Sequence, residues 1–199
     1  MKLGKKVAGT LAISLIATMT VPAFAHVSAM HSVHGFEAGF AHPFMGLDHL
    51  LAMLAVGIWA AQQRGTSLWL LPVVFPLAMT AGAMMGINAM ALPFVEPGIA
   101  VSVLVLGLLI ASTAKLPKFM SVGLVSMFAI AHGYAHGIEM GAGDSAIEFG
   151  AGFILATVLL HATGLIAALS ANRYLNNAVN RIAGVSIAMV GMFFVSALV

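Results

Sequence analysis

The chain has 199 residues, of which 61% are hydrophobic and only 7% charged. A soluble domain carries about 25% charged residues, so this chain has too little charge to cover a water-facing surface, and lipid must be the solvent for most of it. Cysteine is absent, which excludes disulfides, thiolate metal sites and a CxxC relay and leaves His, Met and carboxylates as the strong metal ligands.

The chain opens with Lys2, Lys5 and Lys6, then an apolar run from Val7 to Val21 closed by Pro22-Ala23-Phe24-Ala25. A positive start, a short apolar middle and a small-residue cleavage site are the three parts of a secretory signal, here residues 1–25. Cleavage removes three of the eight basic residues, and the remaining five against six Asp/Glu leave no basic footprint for nucleic acid. Residues 26–199 then form one domain beginning at His26. Its free α-amine and imidazole together make a chelating pair, with His31, His34 and Glu37 close behind. Such a segment is equally a metal-collecting arm or a polar tail.

Six apolar stretches follow, at about 40–62, 68–92, 97–114, 119–139, 146–171 and 180–199. Most reach the roughly 20 residues needed to cross a bilayer. The expected fold is an all-α polytopic membrane bundle of about six transmembrane helices. Alternate connections hold Arg64, then Lys115 with Lys118, then Arg173 with Arg181, while Glu37, Glu96, Glu139, Asp144 and Glu148 fall on the other side. The positive-inside rule places the mature N-terminus outside, in the periplasm of a bacterial inner membrane. Trp59, Trp69 and Tyr174 then lie near the inner interface, as aromatic belts do.

The first stretch reads His42-Pro43-Phe44-Met45-Gly46-Leu47-Asp48-His49 and continues to Met53 and Gly57. On a continuous helix, His42 and His49 share a face two turns apart, whereas Asp48 points about 100° from His49. Asp48 therefore binds through another partner or holds a ligand in position. The fourth stretch carries His132, Gly133, His136, Gly137 and Glu139. His132 and His136, spaced i, i+4, present two nitrogens to one cation, and Glu139 follows on the same face. Gly133 and Gly137 form a small-xxx-small surface for a neighbouring helix. Ionisable groups at membrane depth are costly and mark function by default; the alternative is a packing motif of hydrogen-bonded histidines. Glu96, in the turn between the second and third stretches, is either a solvated carboxylate or an entrance ligand. His161 is either an inner relay or a structural histidine. Met84, Met85 and Asn88 more simply serve packing.

The stretch HPFMGLDHLLAMLAVGIWA, His42 to Ala60, resembles the signature of the HupE/UreJ family of nickel permeases, HPxxGxDHxxxMxxVGxxA, and the resemblance extends to HGYAHGIE at 132–139 and to the number of hydrophobic segments. It implies nickel uptake across the inner membrane for hydrogenase or urease maturation. The positions resembling the family's important residues are His42, Asp48, His49, Glu96, His136 and Glu139. Imidazole itself suits Ni2+, Co2+, Cu2+ and Zn2+ alike. The candidate metal-handling set is thus His42, Asp48, His49, His132, His136, Glu139, Glu96 and His26. Release proceeds by dissociation or to a partner such as a cytoplasmic nickel chaperone. Ligation requires deprotonated imidazoles, so binding weakens as pH falls through about 6.5. No P-loop, HExxH or nucleophile elbow is present, so an ATP-driven pump or a zinc protease is not indicated. The rivals to a permease are a membrane haem or di-iron protein, since paired transmembrane histidines ligate haem, and an outer-face metal receptor that never transports.

Overall fold

In the computed structural model, residues 35–140 and 145–198 are described. The expected signal, His26, His31, His34 and Asp144 lie outside the described residues. The apolar runs form seven α-helices among the described residues: α1 Phe36–Ala41, α2 Leu47–Gln63, α3 Ser67–Ile87, α4 Val95–Ser112, α5 Lys118–Glu139, α6 Ala146–Tyr174 and α7 Asn177–Ser196. A single 3-10 turn, His42–Phe44, joins α1 to α2. The fold is all-α, as the sequence predicts.

Local chemistry sets the ends. Asn176 caps α7 by accepting from the Ala178 N–H at 2.8 Å, and Ser145 caps α6 through Glu148 N–H at 3.4 Å. Arg64 (φ 62°) and Gly65 (φ 57°) end α2 in the left-handed half of backbone space. The third stretch is a regular helix that starts before Pro97; a proline in the first turn removes only an N–H with no intrahelical partner.

Four helices, α3, α4, α6 and α7, are long and apolar enough to cross a membrane, or five spans if α1, the turn and α2 are taken as one broken crossing. The remaining expected span, the fourth stretch, is α5, with 22 residues and so about 33 Å of length. Its composition is diluted by His132, Gly133, Tyr134, His136 and Gly137, the residues that face its neighbours. The chain also breaks where a continuous first helix is expected: Phe36–Phe44 and Leu47–Gln63 meet at 82°. Gly46 stands in extended conformation at the joint (φ −98°, ψ 117°), and Pro43 occupies the 3-10 turn, so the run of helical hydrogen bonds stops there.

Helices pair mainly as α3 with α5, α4 with α7, and α6 with both α1 and α2. Lipid gives no hydrophobic drive for helix association, so close backbone approach must supply it. Between α3 and α5 that approach is reciprocal. A Cβ on Gly133 or Gly137 would strike the Met79 or Ala83 carbonyl, and one on Gly82 or Gly86 would strike the Ile130 or Tyr134 carbonyl. The small-residue surface expected of Gly133 and Gly137 is therefore present, met by a matching pair on α3.

One aromatic differs from expectation. Trp69 and Tyr174 are exposed, as interface residues should be, but Trp59 is fully buried and its Nε1–H donates to the Ala114 carbonyl at 3.1 Å. The carbonyls at the C-terminal end of α4 need donors, and the α2 indole supplies one.

Candidate metal site

The bend between α1 and α2 builds one wall of the site, and α5 builds the other. His42 sits in the 3-10 turn and His49 in the first turn of α2, so the shared helical face predicted from their spacing does not exist. They meet instead through α5. The His42 and His136 rings lie edge to face with centroids 4.7 Å apart, and His49 and His136 are 4.4 Å apart. His132, one turn deeper on α5, lies 4.9 Å from His49.

Glu139 closes the outer end. Its Oε2 is 3.3 Å from His42 Nε2 and 3.8 Å from His136 Nδ1. Donor atoms of His42, His136 and Glu139 all fall within 4.8 Å of one another. Two ligands about 2.0–2.1 Å from a common ion stand at most about 4 Å apart, so modest side-chain rotation would bring these three onto one cation.

The hydrogen bonds behind the rings fix which nitrogen is bare. His132 Nδ1–H donates to the Phe128 carbonyl at 2.9 Å, and His161 Nδ1–H donates to the Met53 carbonyl at 2.7 Å. A carbonyl oxygen can only accept, so both rings carry their proton on Nδ1 and present an Nε2 lone pair. His49 Nδ1 is 2.6 Å from Asp48 Oδ1, which also accepts the His49 backbone N–H at 2.8 Å. Asp48 thus lies behind His49, and its partner is the adjacent residue and not a distant one. The reason is its position in the first turn of α2, where unpaired N–H groups and the helix dipole draw a carboxylate back over the helix end. Among the described residues, Nε2 of His49, His132, His136 and His161 and Nδ1 of His136 are buried with no hydrogen-bond partner. Each is a polar atom that the protein's own groups leave to a water or a ligand.

Aromatic rings line the imidazoles, a feature for which sequence reasoning had no role. Phe153 is 4.2 Å from His136, Phe149 is 5.7 Å from His42, and Phe75 lies between His132 at 5.9 Å and His161 at 5.0 Å. In sequence these phenylalanines look like ordinary apolar helix positions. A largely apolar cavity of about 180 Å³ between α3, α5 and α6 reaches His136. Glu96 is exposed in the first turn of α4, not in the preceding turn, and is not one of the three clustered donors at His42, His136 and Glu139. Met84 is exposed and lines the same cavity as His136, and Asn88 bonds back to the Met84 carbonyl.

Gly46 holds open the space for the Asp48–His49 pair. A Cβ there would stand 2.7 Å from Asp48 Oδ1 and 2.9 Å from His49 Nδ1. The Asp48 carboxylate is a side-chain end that can swing aside, whereas the His49 ring is buried against His132 and His136, so Gly46→Ala should still insert while displacing the pair. If the pair supports a ligand, the affinity of purified protein for a divalent cation, measured by calorimetric titration, should fall about tenfold or more because the ring support is lost.

The family model described as HupE / UreJ protein matches residues 13–194. Protein HupE of Rhizobium leguminosarum bv. viciae is 40% identical over 176 residues, covering 88% of this chain and 92% of that protein. No solved structure matches.

Proposed function

Because this chain belongs to the HupE/UreJ family, a family associated with nickel and cobalt uptake for hydrogenase and urease, we propose that it is an inner-membrane nickel permease loading from the periplasmic side. The single observation that carries this reading is the set of buried imidazole lone pairs on His49, His132, His136 and His161, open to a ligand and following a cluster capped by Glu139.

A hydrated divalent cation is drawn by the carboxylate of Glu139, with Glu37 and Glu96 adding negative charge on the same side and His26 collecting metal at the mature start. It exchanges water for His42 and His136, then for His49 and His132, while Asp48 compensates charge through the His49 ring. Imidazole ligands release as well as bind, as a conduction path requires. His161 takes the inward step, and the ion leaves by dissociation or to a cytoplasmic nickel chaperone.

Uptake of radiolabelled nickel into cells expressing the full chain tests this. Cytoplasmic nickel should rise, and cobalt should compete better than copper or zinc. Metal that binds to the cells while cytoplasmic content stays unchanged would make the protein a receptor and end the permease reading.

A further inference from the structure

About 20 Å along α2 from His49, thirteen residues on at 1.5 Å each, Gln62 lines a second and chemically opposite cavity. Its volume is about 390 Å³, and its walls are Gln62, Arg64, Thr113, Lys115, Asn172 and Asn177. The C-terminal ends of α2 and α4 meet the α6–α7 connection there.

Two cations face this space without a counter-charge. The ion pairs among the described residues join imidazoles to carboxylates at the other end of the bundle. Of the nearby basic residues, Arg173 stacks on Tyr174 at 5.3 Å and Arg181 Nε donates to the Ala111 carbonyl at 3.0 Å. The Arg64 and Lys115 side chains make no hydrogen bond or ion pair among the described residues. The N-terminal end of α7, at Asn177, brings the positive end of a helix dipole to the same cavity. Asn172 accepts from Asn180 Nδ2 at 3.1 Å, which leaves its own NH2 to donate elsewhere.

The independent observation is Gln62. It is 7% exposed, its Nε2 donates to the Ile110 carbonyl at 3.2 Å, and its buried Oε1 has no partner. A ligand that satisfies this cavity therefore carries negative charge for Arg64 and Lys115 and a donor for Gln62. Exposed Tyr174 and Leu175 fall in the chain between the lining residues Asn172 and Asn177, an aromatic and an apolar group of the kind that mark the headgroup layer. Basic pockets between helices on the cytoplasmic side suit phosphate headgroups.

We propose that this cavity is a headgroup site for an anionic phospholipid of the phosphatidylglycerol type, with Arg64 and Lys115 holding the phosphodiester and Gln62 Oε1 accepting from a headgroup hydroxyl. The site is independent of the metal reading and stands or falls separately from it.

Native mass spectrometry of the purified full chain, offered phosphatidylglycerol, phosphatidic acid and phosphatidylcholine in turn, tests it. Phosphatidylglycerol should be retained most strongly and phosphatidylcholine least. Lys115→Gln should lower phosphatidylglycerol retention about tenfold or more, because a charge-assisted contact is lost. Lys118→Gln, on the same side but outside the cavity, should lower it no more than a few-fold. Gln62→Met should erase the preference for phosphatidylglycerol over phosphatidic acid, which lacks the hydroxylated headgroup. Equal losses from Lys115→Gln and Lys118→Gln would reduce the site to bulk charge and overturn the proposal. Displacement of the lipid by millimolar glycerol 1-phosphate would assign the same chemistry to a soluble ester and overturn the lipid assignment.

Discussion

Gly133→Leu is expected to abolish the folded protein, while Gly123→Leu on the same helix should leave it intact. A side chain at Gly133 would run into the Met79 carbonyl, whereas nothing lies within 4 Å of a Cβ on Gly123. Overpacking against mobile side chains costs about 1–3 kcal/mol. Here the obstacle is backbone, so relief requires α5 to draw away from α3 along an interface that Gly82, Gly86 and Gly137 also hold close. Total stability of a domain is only about 5–15 kcal/mol, and packing is the main force between helices in lipid. Gly123 is exposed, and leucine there adds helix propensity of nearly 1 kcal/mol. Size-exclusion profiles and melting of detergent-solubilised protein distinguish the two variants. If Gly133→Leu elutes as a sharp peak and melts within a few degrees of the parent, the close α3–α5 packing is not what holds the bundle.

The sequence reached the site's composition but not its construction. Low charge and the basic residues at Arg64, Lys115 and Arg181 were enough for an all-helical membrane fold, because lipid forbids almost everything else. The residue types at His42, Asp48, His49, His132, His136 and Glu139 were legible since ionisable groups among apolar ones are conspicuous. Their geometry was not. A seven-residue spacing matches two turns of helix, and it gave His42 and His49 proximity by a route the bend at Gly46 replaces. Helical projection likewise separates Asp48 from His49 by 100° and takes no account of a short carboxylate folding back over a helix start. The buried Trp59 escaped for a related reason: an interfacial indole and a capping indole look alike until the α4 carbonyl appears beside it. The aromatic lining of Phe75, Phe149 and Phe153 carries no polar signal at all, so only packing reveals it.

The two residues of that fold-back should separate sharply when changed. His49→Ala removes one of the bare Nε2 atoms outright and should reduce radiolabelled nickel accumulation to background while the protein still appears in the membrane fraction. Asp48→Asn keeps an oxygen able to accept both His49 N–H groups, but without the charge that raises ring basicity and steadies its orientation. Losing a partner behind a ligand typically costs 10–100-fold in metal affinity, so purified Asp48→Asn should bind nickel in unchanged stoichiometry at about 10–100-fold lower affinity. His42, His136 and Glu139 remain in both variants, which makes residual weak binding by His49→Ala compatible with lost transport. Identical titrations for the two would mean that Asp48 ligates the ion directly, and unchanged uptake by both would remove the imidazole path itself. The difference between them isolates one physical quantity, the contribution of the carboxylate behind the His49 ring to that ring's hold on a cation.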